Sequence, residues 1–101
     1  MNGNRFYSNK IDAMKVKLVL FGTLRNLATH KQEVSLSGDT RVTDLIDLLV
    51  KKYGSEFGER IGHREIWQIA VNGHLQGFSA AMEIELKDGD EVTILPLLFG
   101  G

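Results

Sequence analysis

The sequence predicts an α+β fold in which one main helix packs on one face of a mixed β-sheet. Two early segments alternate apolar and polar residues, residues 42–53 repeat apolar side chains at helical spacing, and further short strand patterns follow. The chain has 101 residues, of which 43% are hydrophobic and 25% are charged, so it has room for one domain. A single long helix must then cover the sheet.

The first two strands are predicted over residues 15–21 and 33–37, where apolar and polar side chains alternate. A turn or loop over residues 22–26 interrupts the pattern. The two strands therefore predict an antiparallel hairpin. Its inward-facing residues are Val16, Leu18, Leu20, Val34 and Leu36.

The main helix is predicted to begin at Thr43 as N-cap, with Asp44 and Asp47 in the first turn, where the helix dipole favours negative charge. Gly54 fits the position just after the helix. Residues 55–64 are polar and contain two glycines, so they predict at most a short helical turn. The apolar stripe that faces the core comprises Val42, Leu45, Ile46, Leu49 and Tyr53.

The last third of the chain predicts further strands joined by turns. A strand over 66–71 precedes Asn72-Gly73, the strongest hairpin signal in the sequence. An irregular return leads to a turn at 87–90 and a last strand over 91–97. We expect the first and last strands to be neighbours at the centre of the sheet. This order of elements fits a β-grasp fold.

The polar, aperiodic residues 1–13 predict a flexible extension or leader, and residues 14–101 predict the folded domain with a flexible C-terminal Gly-Gly tail. No segment has the apolar length of a membrane helix or signal peptide, and the net charge of −1 disfavours nucleic-acid binding. The absence of cysteine excludes disulfides and a cysteine nucleophile. We therefore expect a cytoplasmic protein with no membrane or nucleic-acid partner.

Charge is distributed unevenly along the chain. Residues 1–52 carry nine basic and five acidic side chains, whereas residues 53–101 carry three basic and eight acidic ones. One interpretation is simple surface solvation. The alternative is an acidic half that docks on a basic partner.

The interior of the sequence contains no recognisable catalytic or phosphate-binding motif. The histidines fall in three separate predicted loops, the acidic residues after position 87 lack calcium-loop spacing, and two nearby glutamates have no predicted pocket. We therefore expect no metal site and no bound cofactor. The residues concerned are His30, His63, His74, Asp88, Asp90, Glu91, Glu56 and Glu59.

The end of the sequence carries the strongest functional signal. No charged residue follows Thr93, and the chain ends on Gly100-Gly101. A truncated chain or a linker remnant would also end in this way. The alternative is chemical: a terminal carboxylate that is activated as an acyl-adenylate can accept sulfide or an amine. Two residues without a Cβ can pass a narrow channel to such an active site.

Four stretches resemble the MoaD/ThiS group of ubiquitin-like sulfur carriers, most closely its molybdopterin synthase small subunits. They are residues 16–25, 43–49, 69–73 and, most specifically, the segment from Leu86 to Gly101. The chain departs from the pattern in the bulky residues before the terminal glycines and in Asn26, where the family tends to carry an acidic residue.

The resemblance implies a non-enzymatic carrier, the small, sulfur-donating subunit of a sulfurtransferase such as molybdopterin synthase. Its partners would be an E1-like adenylating enzyme that uses ATP and the large synthase subunit. Gly101 would be the reacting residue, with Gly100 beside it. The alternatives are a sulfur carrier for thiazole, thiolated tRNA or cysteine, a ubiquitin-like modifier, and a binding module. We predict a docking surface beside the tail, formed by Val19, Phe21, Leu95, Leu97 and Phe99.

Overall fold

The computed structural model describes residues 13–97, which form a five-stranded mixed sheet and three helices. The strands β1 to β5 are Ala13–Leu20, Lys31–Ser37, Trp67–Val71, His74–Gly77 and Glu91–Pro96. The helices α1 to α3 are Val42–Tyr53, Ser55–Ile61 and Phe78–Ala81, and 3₁₀ turns occupy Gly22–Asn26 and Arg64–Ile66.

The strand order is β2-β1-β5-β3-β4, with β1 and β5 parallel at the centre and the other neighbours antiparallel. This confirms the predicted α+β class and the central pairing of the first and last strands. The predicted hairpin is also present, with Val16 opposite Val34. Its register follows from burial, because a one-residue slip would turn every apolar side chain of β1 to the other face.

One core lies between the sheet and the helices. The α1 stripe of Val42, Leu45, Ile46 and Leu49 is buried, as the apolar spacing predicts, whereas Tyr53 is only partly buried. The buried strand residues that belong to the same core are Met14, Val16, Leu18, Leu20, Val34, Leu36, Trp67, Ile69, Val71, Val92 and Ile94.

The predicted N-cap of α1 is wrong by two positions. Arg41 is the N-cap, and Thr43 lies inside the first turn. The backbone N–H groups of Val42 and Thr43 donate to the carbonyls of Ile84 and Met82, at 3.0 and 3.2 Å. A distant chain segment therefore satisfies the donors that a side-chain cap would otherwise satisfy.

The predicted single helical turn after Gly54 is a separate helix, α2. Phe57 and Ile61 are buried at the i, i+4 spacing, between polar residues that hide the pattern. Gly58 permits close packing, because a Cβ at this position would lie 2.9 Å from Cγ1 of Val50 in α1. The helices α1 and α2 pack through this contact.

The Asn72-Gly73 turn forms as predicted, with φ values of 51° and 85°. The Asn72 side chain also joins two strands, since its Nδ2 donates to Asp90 Oδ1 and its Oδ1 accepts from the Glu91 N–H, both at 2.9 Å. Polar turn residues thus hold the start of β5 beside the β3–β4 hairpin.

Strand β1 begins at Ala13, the last residue of the predicted extension, and ends at Leu20, so Phe21 lies just past the strand. The rest of the extension, residues 1–12, and the tail of residues 98–101 lie outside the described residues. The predicted tail mobility and the roles of Phe99, Gly100 and Gly101 concern this undescribed part. Within residues 13–97, the structure contains no helix with the length and apolar character needed to span a bilayer.

Candidate functional site

The face of the sheet opposite the core carries an apolar patch, the open-face patch, formed by Val19, Phe21, Leu95 and Leu97. Phe21 is 45% exposed, and the other three are partly exposed. Phe21 and Leu95 line one shallow cavity, with Gly22 and Pro96, and polar atoms do not contribute to its surface. The structure thus brings Phe21 and Leu95 together, whereas Val19 lines a neighbouring groove on the same face.

Two further apolar residues lie on or near this face, and the sequence analysis did not assign them to it. Ile66 is 40% exposed, and its carbonyl accepts the Leu97 N–H at 2.8 Å, which places it beside the end of β5. Leu75 is 54% exposed and pairs with Ala70 at the β4 edge. The period-two pattern of β3 extended to Ile66 could have identified the first of them.

The other end of the open face is charged. Lys17 lies between Glu33 on β2 and Glu91 on β5 in the strand register, and Lys31 pairs with Val19. These four charged residues border one groove with Val19. A mixed polar rim beside an apolar centre is typical of a protein-binding surface.

A second cavity, of about 460 Å³, lies between α2 and the chain around the two 3₁₀ turns. Its lining corrects one expectation, because Glu56 and Glu59 do border a pocket, together with Arg60 and His63. Glu56 forms an exposed ion pair with Arg60, at 3.5 Å, within the lining of this cavity.

Two of the remaining candidate residues, Asp88 and Asp90, have structural roles. Asp88 Oδ1 accepts the Lys15 N–H and Asp90 Oδ2 accepts the Lys87 N–H, both at 2.8 Å. His74 begins β4 rather than lying in a loop. Across residues 13–97, no group of three or more His, Asp or Glu side chains is arranged to hold a metal ion.

The hydroxyl of Tyr53 lies in a hydrogen-bonded network that shifts its pKa. Burial raises the pKa of its hydroxyl, but hydrogen bonds with Gln32 and Thr29 and the nearby charge of Lys52 outweigh that effect and lower the pKa. Gln32 Nε2 donates to the hydroxyl at 2.8 Å. This network joins α1 to β2 and lies outside the open-face patch.

The family comparison decides where this fold belongs. A sequence model of the ThiS family matches residues 18–101, most of the chain and all the strands except the first residues of β1. The chain belongs to the ThiS family. The resemblance stated from the sequence is confirmed, and with it the β-grasp fold.

Several named proteins are similar to this chain along most of its length. The chain is 35% identical to the molybdopterin synthase sulfur carrier subunit of Mycobacterium tuberculosis, over 87% of this chain and 99% of that protein. A Pyrococcus furiosus structure assigned as molybdopterin converting factor subunit 1 is 32% identical, with a TM-score of 0.63. The match covers 84% of this chain and 99% of that one. The solution structure of small archaeal modifier protein 1 from Methanosarcina acetivorans is 29% identical, with a TM-score of 0.61. The match covers 88% of this chain and 98% of that one.

Proposed function

We propose that this protein is a sulfur carrier for molybdopterin synthesis and that Gly101 is its reacting residue. An E1-like enzyme would adenylate the Gly101 carboxylate with ATP, and sulfur would replace AMP to give a thiocarboxylate. The observation that carries the proposal is the 35% identity to a molybdopterin synthase sulfur carrier subunit along 99% of that subunit's length.

The chemistry needs a carboxylate at the end of a narrow, extended arm. Adenylation converts a carboxylate oxygen into part of an AMP leaving group and releases pyrophosphate. Sulfide then attacks the acyl carbon and expels AMP, which leaves the thiocarboxylate. Four residues follow Leu97, and a fully extended segment of that length spans at most roughly 13–14 Å. A tail with this reach would carry the carboxylate away from the end of β5, which supports the proposal.

The open-face patch is the proposed docking surface for the E1-like enzyme and for the large synthase subunit. Its apolar side chains lie beside the end of β5, so an enzyme that binds there is next to the start of the tail. Burial of Phe21 and Leu95 on binding would contribute roughly 25 cal/mol for each Å² of apolar area.

A ubiquitin-like protein modifier is the second candidate. The 29% identity to small archaeal modifier protein 1 favours it, since a modifier would use the same activated carboxylate against a lysine amine. The two functions differ in the nucleophile that attacks the acyl-adenylate. A carrier ends as a free thiocarboxylate, and a modifier ends in an amide bond to another protein.

Intact-mass analysis of the protein isolated from its own cells distinguishes these outcomes. A carrier yields the unconjugated chain with one carboxylate oxygen replaced by sulfur. A modifier yields larger species that contain the chain linked through Gly101 to lysine. Transfer of the sulfur to a pyranopterin precursor with the large synthase subunit then tests the molybdopterin pathway.

A further inference from the structure

Gly22 brings the end of β1 into unusually close contact with the end of β5. Its φ of +69° lies in the left-handed region, which disfavours side chains. A Cβ at this position would lie 3.2 and 3.3 Å from Cγ and Cδ of Pro96 and 3.6 Å from the Trp67 ring. The Pro96 ring therefore occupies part of the space that a side chain at position 22 would need.

The contact between Gly22 and Pro96 lies just beyond the point where the backbone hydrogen bonds between β1 and β5 end. The last hydrogen bond from this side runs from the Phe21 N–H to the Ile94 carbonyl, at 2.9 Å. Pro96 has no N–H to donate. On the β1 side, the packing of Gly22 on the proline ring thus continues the contact between the two strands where the backbone ladder ends.

The opposite side of Pro96 is fixed. Pro96 pairs with Trp67, which is 2% exposed and donates its Nε1–H to the Arg60 carbonyl at 3.0 Å. The next residue, Leu97, donates its N–H to Ile66. A side chain at position 22 would press Pro96 against this rigid neighbour, so the end of β5 would have to move.

We propose that Gly22 is a positioning residue that seats Pro96 and so sets where the chain after Leu97 leaves the sheet. The consequence for activity rests on the proposed function. A displacement of about 1 Å at a reacting group can cost about a hundredfold in rate. A smaller shift at the base of a four-residue tail would still disfavour productive placement of Gly101.

The test compares Gly22→Asn with Gly89→Asn in the full chain. Asparagine adopts positive φ more readily than most residues with a Cβ, and because both positions have positive φ, the backbone strain is common to the two variants. Gly89 is a matched control: its φ is +88°, it lies at the opposite end of β5, and a Cβ there meets nothing within 4 Å. Both variants replace a glycine by asparagine, so the conformational entropy of the unfolded chain falls by the same amount in each.

The first readout is hydrogen exchange of the Leu97 amide, which does not depend on function. We expect exchange about tenfold faster in Gly22→Asn and unchanged in Gly89→Asn, because the Leu97–Ile66 bond opens when Pro96 moves. Equal exchange in the two variants would overturn the positioning role.

The second readout is single-turnover adenylation by an E1-like enzyme of the molybdopterin pathway. We expect Gly22→Asn to lower the saturated rate about tenfold while changing the half-saturating concentration less than about threefold. An unchanged saturated rate contradicts the activity consequence. If Leu97 responds as expected but wild-type protein is never adenylated, the positioning role stands and the proposed function is wrong.

Discussion

Asp88 accepts a hydrogen bond from the backbone N–H of Lys15 at 2.8 Å across 73 positions of sequence. The Gly89 N–H donates to the Lys15 carbonyl, also at 2.8 Å, so the turn before β5 is joined to β1 through both backbone groups of one residue. This pair of bonds lies at the start of the central parallel ladder. It fixes the start of β5 beside β1.

Replacement of the Asp88 carboxylate tests this alignment. We expect Asp88→Ala to lower the free energy of unfolding by about 1 kcal/mol, since the bond is exposed and the freed N–H can bind water. Asp88→Asn keeps an acceptor oxygen and should lose less. Urea denaturation measures both, and equal losses in the two variants would contradict the role of the bond.

The helix missed by the sequence analysis provides a second test. We expect Phe57→Ala to destabilise the fold by about 3–5 kcal/mol, because Phe57 is fully buried in the core. Leu48→Ala is the control, since Leu48 is 41% exposed on the neighbouring helix. A loss below about 1 kcal/mol for Phe57→Ala would show that α2 does not pack as described.

The open-face patch is tested by a charge placed at its centre. We expect Phe21→Asp or Leu95→Asp to weaken binding to the E1-like enzyme at least tenfold, about 1.4 kcal/mol, because the carboxylate would be buried without a partner. Leu48→Asp is the control on the helical side. Titration calorimetry that finds unchanged affinity for both patch variants would remove this surface from the interface.

The boundary of the domain gives a fourth prediction. Removal of residues 1–12 should leave the melting temperature nearly unchanged, because β1 begins at Ala13. Removal through Met14 should lower it, since Met14 is buried and pairs with Leu36. Thermal unfolding of the two truncated chains measures the difference. A large loss from the first truncation would show that the extension stabilises the core.

The sequence predicts those parts of the fold whose physical cause is local. The period-two burial of β1, the α1 stripe and the Asn72-Gly73 turn each follow from neighbouring residues. The N-cap of α1 does not follow from neighbouring residues. The first N–H groups of the helix are satisfied by carbonyls of Met82 and Ile84, about 40 positions away.

In the candidate site, too, the sequence predicts only the features that depend on neighbouring residues. Alternation places Val19 and Leu95 on the uncovered face, and the structure agrees. The closeness of Gly22 to Pro96 depends on the pairing of distant strands, so the sequence alone shows only a glycine after a strand. The cavity beside Glu56 depends on a helix whose apolar pair is separated by polar residues.

The central claim is that the Gly101 carboxylate is the group that is activated. The most direct measurement is ATP-dependent adenylate and thiocarboxylate formation by the E1-like enzyme, followed by intact mass, on wild-type protein and on a chain that lacks Gly101. Deletion withdraws the carboxylate by about 3.3–3.6 Å, and we expect at least a hundredfold slower activation with unchanged folding. Gly100→Ala is a separate control that keeps the length and adds one methyl group. Equal activation and sulfur transfer by the wild-type and shortened chains would contradict the carrier function.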